Sequence, residues 1–335
     1  MKILFIITGI GLGHAVRDEL IIKKLDSEVR IGTYKDAYNY FKDKYDTFKI
    51  PHLKFPKSGF GLSVLKVLLW NSFAPFIIFR LKRKLRKEIE NFKPDIVISD
   101  SELLIPRIAK KLNKKVIGIH NHNIKDIDKY GKRFPYQSKY VHMLINGYGK
   151  NCELVIIPDL LHKEVRENNH YIDPVVVENR KTIKNNSILI MLGGSDFGHS
   201  FIKKLIPFLK KQEEKFIIFG YKDFKEGNIE SYSFNKDFIS YLKGCKGLIT
   251  LAGYSTLSEA LYYKIPSLVF SIPNHIEQYV NANKVSNIFN ADVNSENPKE
   301  SISKFLRSIP EQKKKLKKLK IKNGLDEAVK LIKTI

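Results

Sequence analysis

Cysteine is scarce in this chain, and its scarcity excludes two classes of protein. Only two of the 335 residues are cysteine, too few for a disulfide-stapled scaffold or for a zinc site of four cysteines. So few cysteines also fit a reducing compartment, and we expect a cytoplasmic protein. Hydrophobic residues make up 43% of the chain and charged residues 28%, which excludes a disordered polypeptide. The length instead predicts two domains, each with its own core.

Arginine is also scarce, although positive charge is not. Lysine and arginine together number 59 against 35 acidic residues, a net charge of +24, yet only ten of the basic residues are arginine. Proteins that read bases usually rely on bidentate arginine contacts, and no zinc-finger, basic-zipper or RNA-motif pattern is present. We therefore expect no nucleic-acid partner. The lysines are interpreted as a solvated surface, with attraction to anionic lipid or an anionic substrate as the alternative.

Long apolar runs are rare, and the segment 60–87 contains the longest. Residues 62–79 carry a single charge, Lys66, before a strongly basic run begins. The length approaches that of a membrane span, but Asn71 and Pro75 interrupt it. Three interpretations remain open: a span, a core or interdomain helix, and an interfacial element that contacts an anionic membrane surface.

Two further segments invite a targeting or membrane interpretation. The apolar run at 3–7 is too short for a signal peptide and is predicted to be a buried first strand. The basic stretch 313–322 is predicted to be a surface helix, with a lipid-binding face as the alternative. We expect a cytoplasmic protein that is either free or peripheral at the inner face of the cell membrane.

Short apolar runs alternate with amphipathic stretches, which is typical of βα units and parallel sheets. The predicted strands are 2–8, 28–32, 95–99, 115–120, 153–157, 187–192, 215–219, 247–251 and 267–271. The predicted helices are 102–113, 199–212, 256–263 and 276–286. A polar stretch at 162–186 is predicted to link the domains. The expected division is 1–160, 161–315, and basic C-terminal helices at 316–335 that pack back on the first domain.

The first candidate motif is the glycine-rich loop Gly9–His14, directly after the first strand. Glycines permit close backbone approach, and the helix that follows offers N–H groups to a polar substrate. His14 stands where a dinucleotide fingerprint needs glycine or alanine, and no acid ends the second strand, so NAD and FAD are not expected. An imidazole with a pKa near ~6.5 can accept a proton from an alcohol. A capping or packing histidine is the alternative.

The second motif is another glycine-rich turn, Gly193, Gly194 and Ser195, between a predicted strand and a helix. Its backbone N–H groups are suited to cradle a diphosphate. Because the lysine of a P-loop is missing, ATP hydrolysis is not implied.

The third motif is the most specific and begins with a turn at Gly253. Gly253 to Thr256, with Ser255 between them, are predicted to form a tight turn that caps the N-terminus of the following helix. Glu259 is predicted to lie one turn into that helix, where it can accept both hydroxyls of a ribose. At the start of the next helix lie three side chains that can bind the hydroxyls of a sugar, namely Glu277, Gln278 and Asn281.

The order GIGLGH, GGSDFG and GYSTLSEA–IP–P–EQYVNA resembles the two-domain GT-B nucleotide-sugar glycosyltransferases. The likeness is to the bacterial N-acetylglucosaminyltransferase of lipid-linked peptidoglycan synthesis and its archaeal-type relatives. It spans almost the whole chain and is strongest at 2–25 and 187–285. The resemblance implies an α/β fold of two Rossmann-like domains that face a central cleft.

The resemblance also implies roles for the motif residues. The N-terminal domain would bind the acceptor, with His14 as base or acceptor contact on a loop with Gly11, Gly13 and Arg17. The C-terminal domain would bind the donor nucleotide-sugar. Its matched residues are the diphosphate loop Gly193, Gly194 and Ser195, the nucleobase segment Phe234 and Asn235, the turn Gly253, Ser255 and Thr256, the ribose acid Glu259, and the sugar-contacting Glu277, Gln278 and Asn281.

The predicted function is an inverting, metal-independent transfer of a sugar, such as an N-acetylhexosamine, from a UDP-sugar to a hydroxyl acceptor. A lipid-linked acceptor is one option, and no cofactor is expected. Two alternatives remain open. The string Gly11–Arg17 also resembles a nucleotide-sugar hydrolase of sialic-acid-type biosynthesis, and a sugar-nucleotide 2-epimerase shares the fold.

Two patterns resemble metal sites. Asp126 and Asp128 have the spacing of a metal-binding motif, but they are predicted to lie in a polar loop. His120 and His122 are predicted to share one face of a strand, as in a zinc pair, yet no third ligand is evident. We therefore predict no metal and interpret the two histidines as lining a cleft.

Overall fold

The chain forms two units, each built on a parallel-dominated sheet. The computed structural model describes residues 1–52, 74–161, 163–178, 181–191, 196–233 and 237–335. Of these, the first unit contains the described residues up to Val175 together with 323–335, and the second contains 176–322. The division after Val175 falls inside the polar stretch 162–186.

Within the described residues the first sheet has eight strands. They are β1 (Lys2–Ile7), β2 (Glu28–Thr33), β3 (Asp46–Lys49), β4 (Ile96–Asp100), β5 (Lys115–Ile119), β6 (Leu154–Pro158), β7 (Glu164–Arg166) and β8 (Asn169–Ile172). Their order is β3-β2-β1-β4-β5-β6-β8-β7, and all neighbours are parallel except β7 and β8. The helices before the C-terminal one are α1 (Gly13–Leu25), α2 (Lys35–Phe41), α3 (Ala74–Phe92), α4 (Ile105–Lys111), α5 (Ile124–Tyr130) and α6 (Pro135–Asn151).

Strand β1 shows why this sheet is buried on both faces. Ile3, Phe5 and Ile7 point to one side and pack in a cluster with residues of α1. Leu4 and Ile6 point to the other and pack in a second cluster with residues of α3, α4 and α6. Because helices cover both faces, the strands β1, β5 and β6 are apolar along most of their length, which is what the sequence pattern predicts for parallel strands.

The second unit repeats this plan. Its strands are β9 (Ile188–Met191), β10 (Phe216–Phe219), β11 (Phe224–Glu226), β12 (Ile229–Tyr232), β13 (Gly247–Leu251), β14 (Ser267–Phe270) and β15 (Asn290–Asp292). Their order is β11-β12-β10-β9-β13-β14-β15, parallel except at the β11–β12 hairpin. Its helices are α7 (Asp196–Leu209), α8 (Phe238–Lys243), α9 (Tyr254–Tyr262), α10 (Ile276–Val285) and α11 (Pro298–Lys317).

The last helix, α12 (Leu325–Ile332), belongs to the first unit. Its buried side chains Ala328, Val329 and Ile332 lie in the same cluster as residues of α1. The chain enters α12 through Gly324, where a Cβ would stand 2.0 Å from the carbonyl oxygen of Asp173. The segment 316–335 therefore contains the end of α11 and all of α12, which lie in different units.

Three expectations need correction or restriction. The stretch 162–186 is not simply a linker, because β7 and β8 form a hairpin that extends the first sheet beyond β6. Asp126 and Asp128 lie on helix α5, not in a loop. Of the segment 60–87, residues up to 73 lie outside the described residues, and the rest lies on α3. None of the helices that the structure describes is long and apolar enough to cross a membrane.

Strand order reverses once in each sheet, between β1 and β4 and between β9 and β13. At such a point the loops that leave the two neighbouring strands diverge to opposite faces. The crevice between them is where open α/β sheets bind ligands. Among the described residues, the Gly9–His14 loop follows β1 and the Gly253 turn follows β13, so these two motifs lie at the two points.

Candidate active site

The loop between β1 and α1 needs glycine at two positions. A Cβ at Gly9 would stand 1.9 Å from the carbonyl oxygen of Tyr34, so the chain can pass β2 only without a side chain there. Gly11 has φ of +74°, the left-handed region that favours glycine. Its N–H donates to Asp36 Oδ2 at 3.1 Å, and Gly13 begins α1. The loop thus delivers His14 to the carboxyl edge of the sheet.

His14 is paired with an acid that ends the neighbouring strand. Its Nδ1 lies 2.7 Å from Oδ2 of Asp100, the last residue of β4, which is fully buried. An ionised carboxylate only accepts hydrogen bonds, so Nδ1 carries the proton and Nε2 is the basic nitrogen. The pair therefore has the arrangement of a general base oriented by a carboxylate.

Arg17 holds Asp100 from the other side. Its Nη2 lies 2.7 Å from Asp100 Oδ1, its Nε donates to Asp18 Oδ1 at 3.0 Å, and its Nη1 donates to Asn121 Oδ1 at 2.6 Å. The side chain is 4% exposed. Arg17 is thus on helix α1 with its guanidinium inside the unit, where it contacts the acid of the pair.

These contacts shift the pKa values of two buried carboxyl groups, Asp100 and Asp18, in opposite directions. Burial alone would raise the pKa of Asp100, but Arg17 and His14 hold that pKa well below its usual range. Burial, and then the charge of Asp100, raise the pKa of Asp18. Burial by itself would lower the pKa of Arg17, but the two carboxylates outweigh it and raise that pKa. Asp100 is therefore ionised at neutral pH and oriented toward His14.

Asp100 is the site residue that the sequence reasoning missed. The sequence pattern predicts that the third strand ends at Ser99 and assigns no function to the acid after it. The available signal was its position, because carboxyl ends of parallel strands meet at one edge of a sheet. Its partner could be named only once β4 was known to lie beside β1.

The two residue pairs whose spacing resembles a metal site do not form a set of metal ligands. His120 and His122 follow β5, and the His122 N–H donates to His120 Nδ1 at 3.2 Å. Burial lowers the pKa of His120 to about 3, so its ring is neutral. Across the described residues, no group of three His, Cys, Asp or Glu side chains is placed to hold a metal ion.

The Gly253 motif of the second unit forms a tight turn at the end of β13. Gly253 N–H donates to the Leu251 carbonyl at 2.7 Å, and its own carbonyl accepts from Leu257 N–H at 3.1 Å. Ser255 and Thr256 lie half-buried in the first turn of α9. A Cβ at Gly253 would meet no atom within 4 Å, so the turn is open on that side.

Glu259 lies one turn along α9 and is 9% exposed. Burial raises the pKa of its carboxyl group to about 8. Among the described residues no group hydrogen-bonds this carboxyl group, which leaves its acceptor capacity for a ligand. The predicted ribose acid is thus nearly enclosed and unpaired within that part of the chain.

The predicted sugar-contacting residues lie in the first two turns of α10. Asn281 is buried and its Nδ2 donates to the Ala252 carbonyl at 3.1 Å, which ties α10 to the Gly253 turn. Gln278 Oε1 accepts from Ile272 N–H at 3.0 Å. Glu277 is half-buried in the first turn. The amide contacts seen here are to the backbone and support the turn.

The remaining predicted donor residues lie outside the described residues. They are Gly193, Gly194, Ser195, Phe234 and Asn235. The elements that flank the first three of these residues are described: β9 ends at Met191 and α7 begins at Asp196. Strand β9 lies beside β13, the strand that leads into the Gly253 turn.

Comparison with known proteins identifies the family. Residues 1–310 match the family described as Glycosyl transferase family 1. The chain belongs to this family. The family 1 chain is also 28% identical to an uncharacterized glycosyltransferase of Methanosarcina mazei, over 96% of this chain and 93% of the relative.

Solved structures show the same fold as this family 1 glycosyltransferase. A UDP-glucosyltransferase from Polygonum tinctorium superposes with a TM-score of 0.71 at 12% identity, covering 99% of this chain and 98% of that one. MurG of Acinetobacter baumannii superposes with a TM-score of 0.67 at 15% identity, covering 100% and 99%. The two sheets are therefore the two Rossmann-like domains of GT-B architecture, and the predicted fold class and glycosyltransferase activity are confirmed.

Proposed function

We propose that this glycosyltransferase moves a sugar from a nucleotide-sugar, UDP-linked in the first instance, to a hydroxyl acceptor with inversion at the anomeric carbon. The observation that carries the proposal is the His14–Asp100 pair, 2.7 Å apart at the strand-order reversal of the first sheet. A histidine oriented by an ionised acid supplies the general base that an alcohol acceptor needs.

The reaction follows from that pair. His14 Nε2 takes the proton of the acceptor hydroxyl as its oxygen attacks the anomeric carbon. The bond between that carbon and the nucleoside diphosphate breaks on the opposite face, and the diphosphate leaves with the electron pair. Asp100 stabilises the imidazolium that forms. Inversion results because attack and departure occur on opposite faces, and the proposal requires no metal.

The donor half of the proposal rests on the second unit. In this proposal Glu259 accepts the ribose hydroxyls, and the first turn of α9 after Gly253 offers N–H groups to the diphosphate. The first unit is assigned to the acceptor and the second to the donor. UDP is favoured because the Polygonum tinctorium relative in fold is a UDP-glucosyltransferase.

The finer proposal is an N-acetylhexosamine moved to a lipid-linked acceptor at a membrane surface. It is supported by the start of α3, where Phe76 and Phe79 are exposed beside Arg80 and Arg83. The net charge of +24 favours an anionic surface. Co-sedimentation with vesicles, described below for α3, tests this part of the proposal.

The deciding variant is His14→Ala. It should lower the rate of sugar transfer by roughly 10²- to 10⁴-fold, since the base is lost, while nucleotide binding in the second unit stays unchanged. The measurement is release of nucleoside diphosphate and of glycosylated product from a panel of nucleotide-sugars and alcohols. His170→Ala, on β8 away from the site, is the control and should keep the wild-type rate.

Three outcomes would overturn the assignment in different ways. Wild-type rates in His14→Ala would remove His14 as the base. Rapid release of free sugar without an acceptor would make the protein a nucleotide-sugar hydrolase. Conversion of the donor without release of nucleotide would make it a 2-epimerase.

A further inference from the structure

A second acid lies at the same edge as His14, and the reaction above does not use it. Glu102 follows β4 by two residues and is half-buried. Between it and Asp100, Ser101 has φ of +55°, a conformation that costs a residue with a Cβ about 1–2 kcal/mol. The Ser101 hydroxyl donates to Asp100 Oδ1 at 3.0 Å, and Glu102 N–H donates to Tyr148 Oη at 2.8 Å. The chain is therefore held in a strained turn that places two carboxylates at one end of β4.

Hydroxyl groups from two neighbouring loops fix the Glu102 side chain. Tyr34, directly after β2, donates from Oη to Glu102 Oε1 at 2.7 Å. Thr8, directly after β1, lies 3.0 Å from Tyr34 Oη and also hydrogen-bonds the carboxylate. The Tyr34 ring stacks on His52 with centroids 4.0 Å apart. The position of Glu102 is thus defined by the same edge of the sheet that presents His14.

The charge of Glu102 is not neutralised as that of Asp100 is. Asp100 forms an ion pair with Arg17. In the described part of the chain, no basic side chain forms an ion pair with Glu102. Burial raises the pKa of Glu102 to about 7; the hydrogen bond from Tyr34 opposes the rise and the charge of Asp100 adds to it. A carboxylate has about four lone-pair sites, and two are occupied here, so two hydrogen bonds remain to be made.

An aromatic side chain lies within the electrostatic influence of this acid. Tyr140, on α6, is close enough to Glu102 for the acid to raise the pKa of its phenol, an effect that is second to burial. Its ring is nevertheless 40% exposed, and Tyr136, one turn earlier, is 73% exposed. Binding sites for small molecules commonly combine such apolar walls with one or two fixed polar groups.

We propose that Glu102, held by Tyr34 and Thr8, binds a second hydroxyl of the acceptor beside the hydroxyl that His14 deprotonates. The acceptor is then a polyol such as a sugar ring, not a simple alcohol. Asp100, two residues before Glu102, lies 2.7 Å from His14, so Glu102 and His14 belong to the same end of β4. This inference rests on the proposed function and names the substrate class of its acceptor site.

The test compares acceptors that share a tail and differ in hydroxyl number. The probes are 1-octanol and the octyl glycosides of glucose, galactose, mannose and N-acetylglucosamine, each with the nucleotide-sugar that the enzyme turns over. We expect at least one glycoside to exceed octanol in kcat/KM by tenfold or more. Glu102→Gln should raise the KM for that glycoside, taken relative to the KM for octanol, by roughly 10- to 100-fold, the effect of a hydrogen bond to a charged group.

Two further variants keep the test decisive. Tyr34→Phe removes the hydroxyl that donates to Glu102 Oε1 and should raise the same KM by a smaller factor. This variant replaces Glu102→Gln in the test if Glu102→Gln fails to fold. Glu90→Gln, an exposed acid on α3, is the control and should have no effect.

The outcomes separate this inference from the proposed function. Turnover of a nucleotide-sugar with octanol as good an acceptor as every glycoside overturns the inference alone. A KM within twofold of wild type in Glu102→Gln does the same. Absence of turnover of any nucleotide-sugar with any acceptor overturns the proposed function and the inference with it.

Discussion

The Arg17 guanidinium contacts two buried carboxyl groups, Asp18 and Asp100. Its contacts with the two are unequal, and this decides which of them is ionised. Asp100 receives Nη2 at 2.7 Å and also the His14 ring, whereas Asp18 receives only Nε at 3.0 Å. Asp18 Oδ2 is buried without a partner among the described residues. The better-paired acid therefore keeps its charge, and His14 keeps the tautomer that leaves Nε2 basic.

The variant Arg17→Met should lose this control. Without the guanidinium the pKa of Asp100 rises, so activity that needs the ionised acid is lost near neutral pH and recovers as pH increases. We expect kcat to fall by roughly 10²- to 10³-fold, with the acid limb of the pH–rate profile moved to higher pH. Nitrogen-15 chemical shifts of His14 should report protonation of Nε2.

Arg17→Lys provides the matched test. It returns a positive charge beside Asp100, so the acid limb should lie closer to its wild-type position than in Arg17→Met, and part of the activity should return. A purely structural role would lower stability without moving the pH profile or the His14 shifts. An unshifted profile in Arg17→Met would contradict the account.

Single residues also show the limits of the sequence. His14 was predicted because a glycine loop after a strand is a local pattern that places its last residue at the sheet edge. Asp100, Glu102 and Tyr34 are spread along the chain, and their convergence depends on β2 and β4 flanking β1. Strand order is a property of the packed sheet, so their association was visible only in the structure.

At the scale of elements, buried strands were predicted and short hairpins were not. Strands such as β1, β6 and β10 are apolar on both faces and stand out as runs. The hairpins β7–β8 and β11–β12 are short and partly exposed, so they lack that signal. Each is fixed by an asparagine: Asn168 Nδ2 donates to carbonyls of Gly149 and Cys152, and Asn228 Nδ2 to those of Leu209, Gln212 and Glu214.

Helix α3 has a buried face and, near its start, two exposed phenylalanines. Its buried residues, including Leu81 and Leu85, face the core, while Phe76 and Phe79 are 58% and 60% exposed. We expect the protein to co-sediment with anionic vesicles more than with neutral ones. Phe76→Ser with Phe79→Ser should weaken this binding by about tenfold or more, since each buried phenylalanine contributes up to roughly 1.5–3 kcal/mol.

Val165→Ser is the control for α3, since Val165 is 65% exposed on the β7–β8 hairpin. It should leave vesicle binding unchanged. Equal binding to anionic and neutral vesicles, or no loss in the double phenylalanine variant, would sink the membrane proposal. The glycosyltransferase assignment does not depend on the result.

At the scale of the whole molecule, the two units repeat one design. Each has a strand-order reversal with a glycine turn and a following helix, and each presents an acid there, Asp100 in one and Glu259 in the other. Alternating strand and helix signals predicted this doubled α/β plan. The predicted division of the chain has the C-terminal helices packing back on the first domain, and α12 does so. The amphipathic pattern of α12 by itself does not say which sheet the helix covers.

The central claim is that the second unit binds a nucleoside diphosphate, and calorimetric titration with UDP, GDP, ADP and CMP tests it most directly. In the free protein burial raises the pKa of Glu259 to about 8, so the group is mostly protonated at pH 7. Ribose hydroxyls that donate to the ionised form lower that pKa. The account predicts saturable binding of one diphosphate with release of protons. The observed binding enthalpy should therefore change with the ionisation enthalpy of the buffer, and this dependence should vanish in Glu259→Gln. Absence of binding by every nucleotide would contradict it.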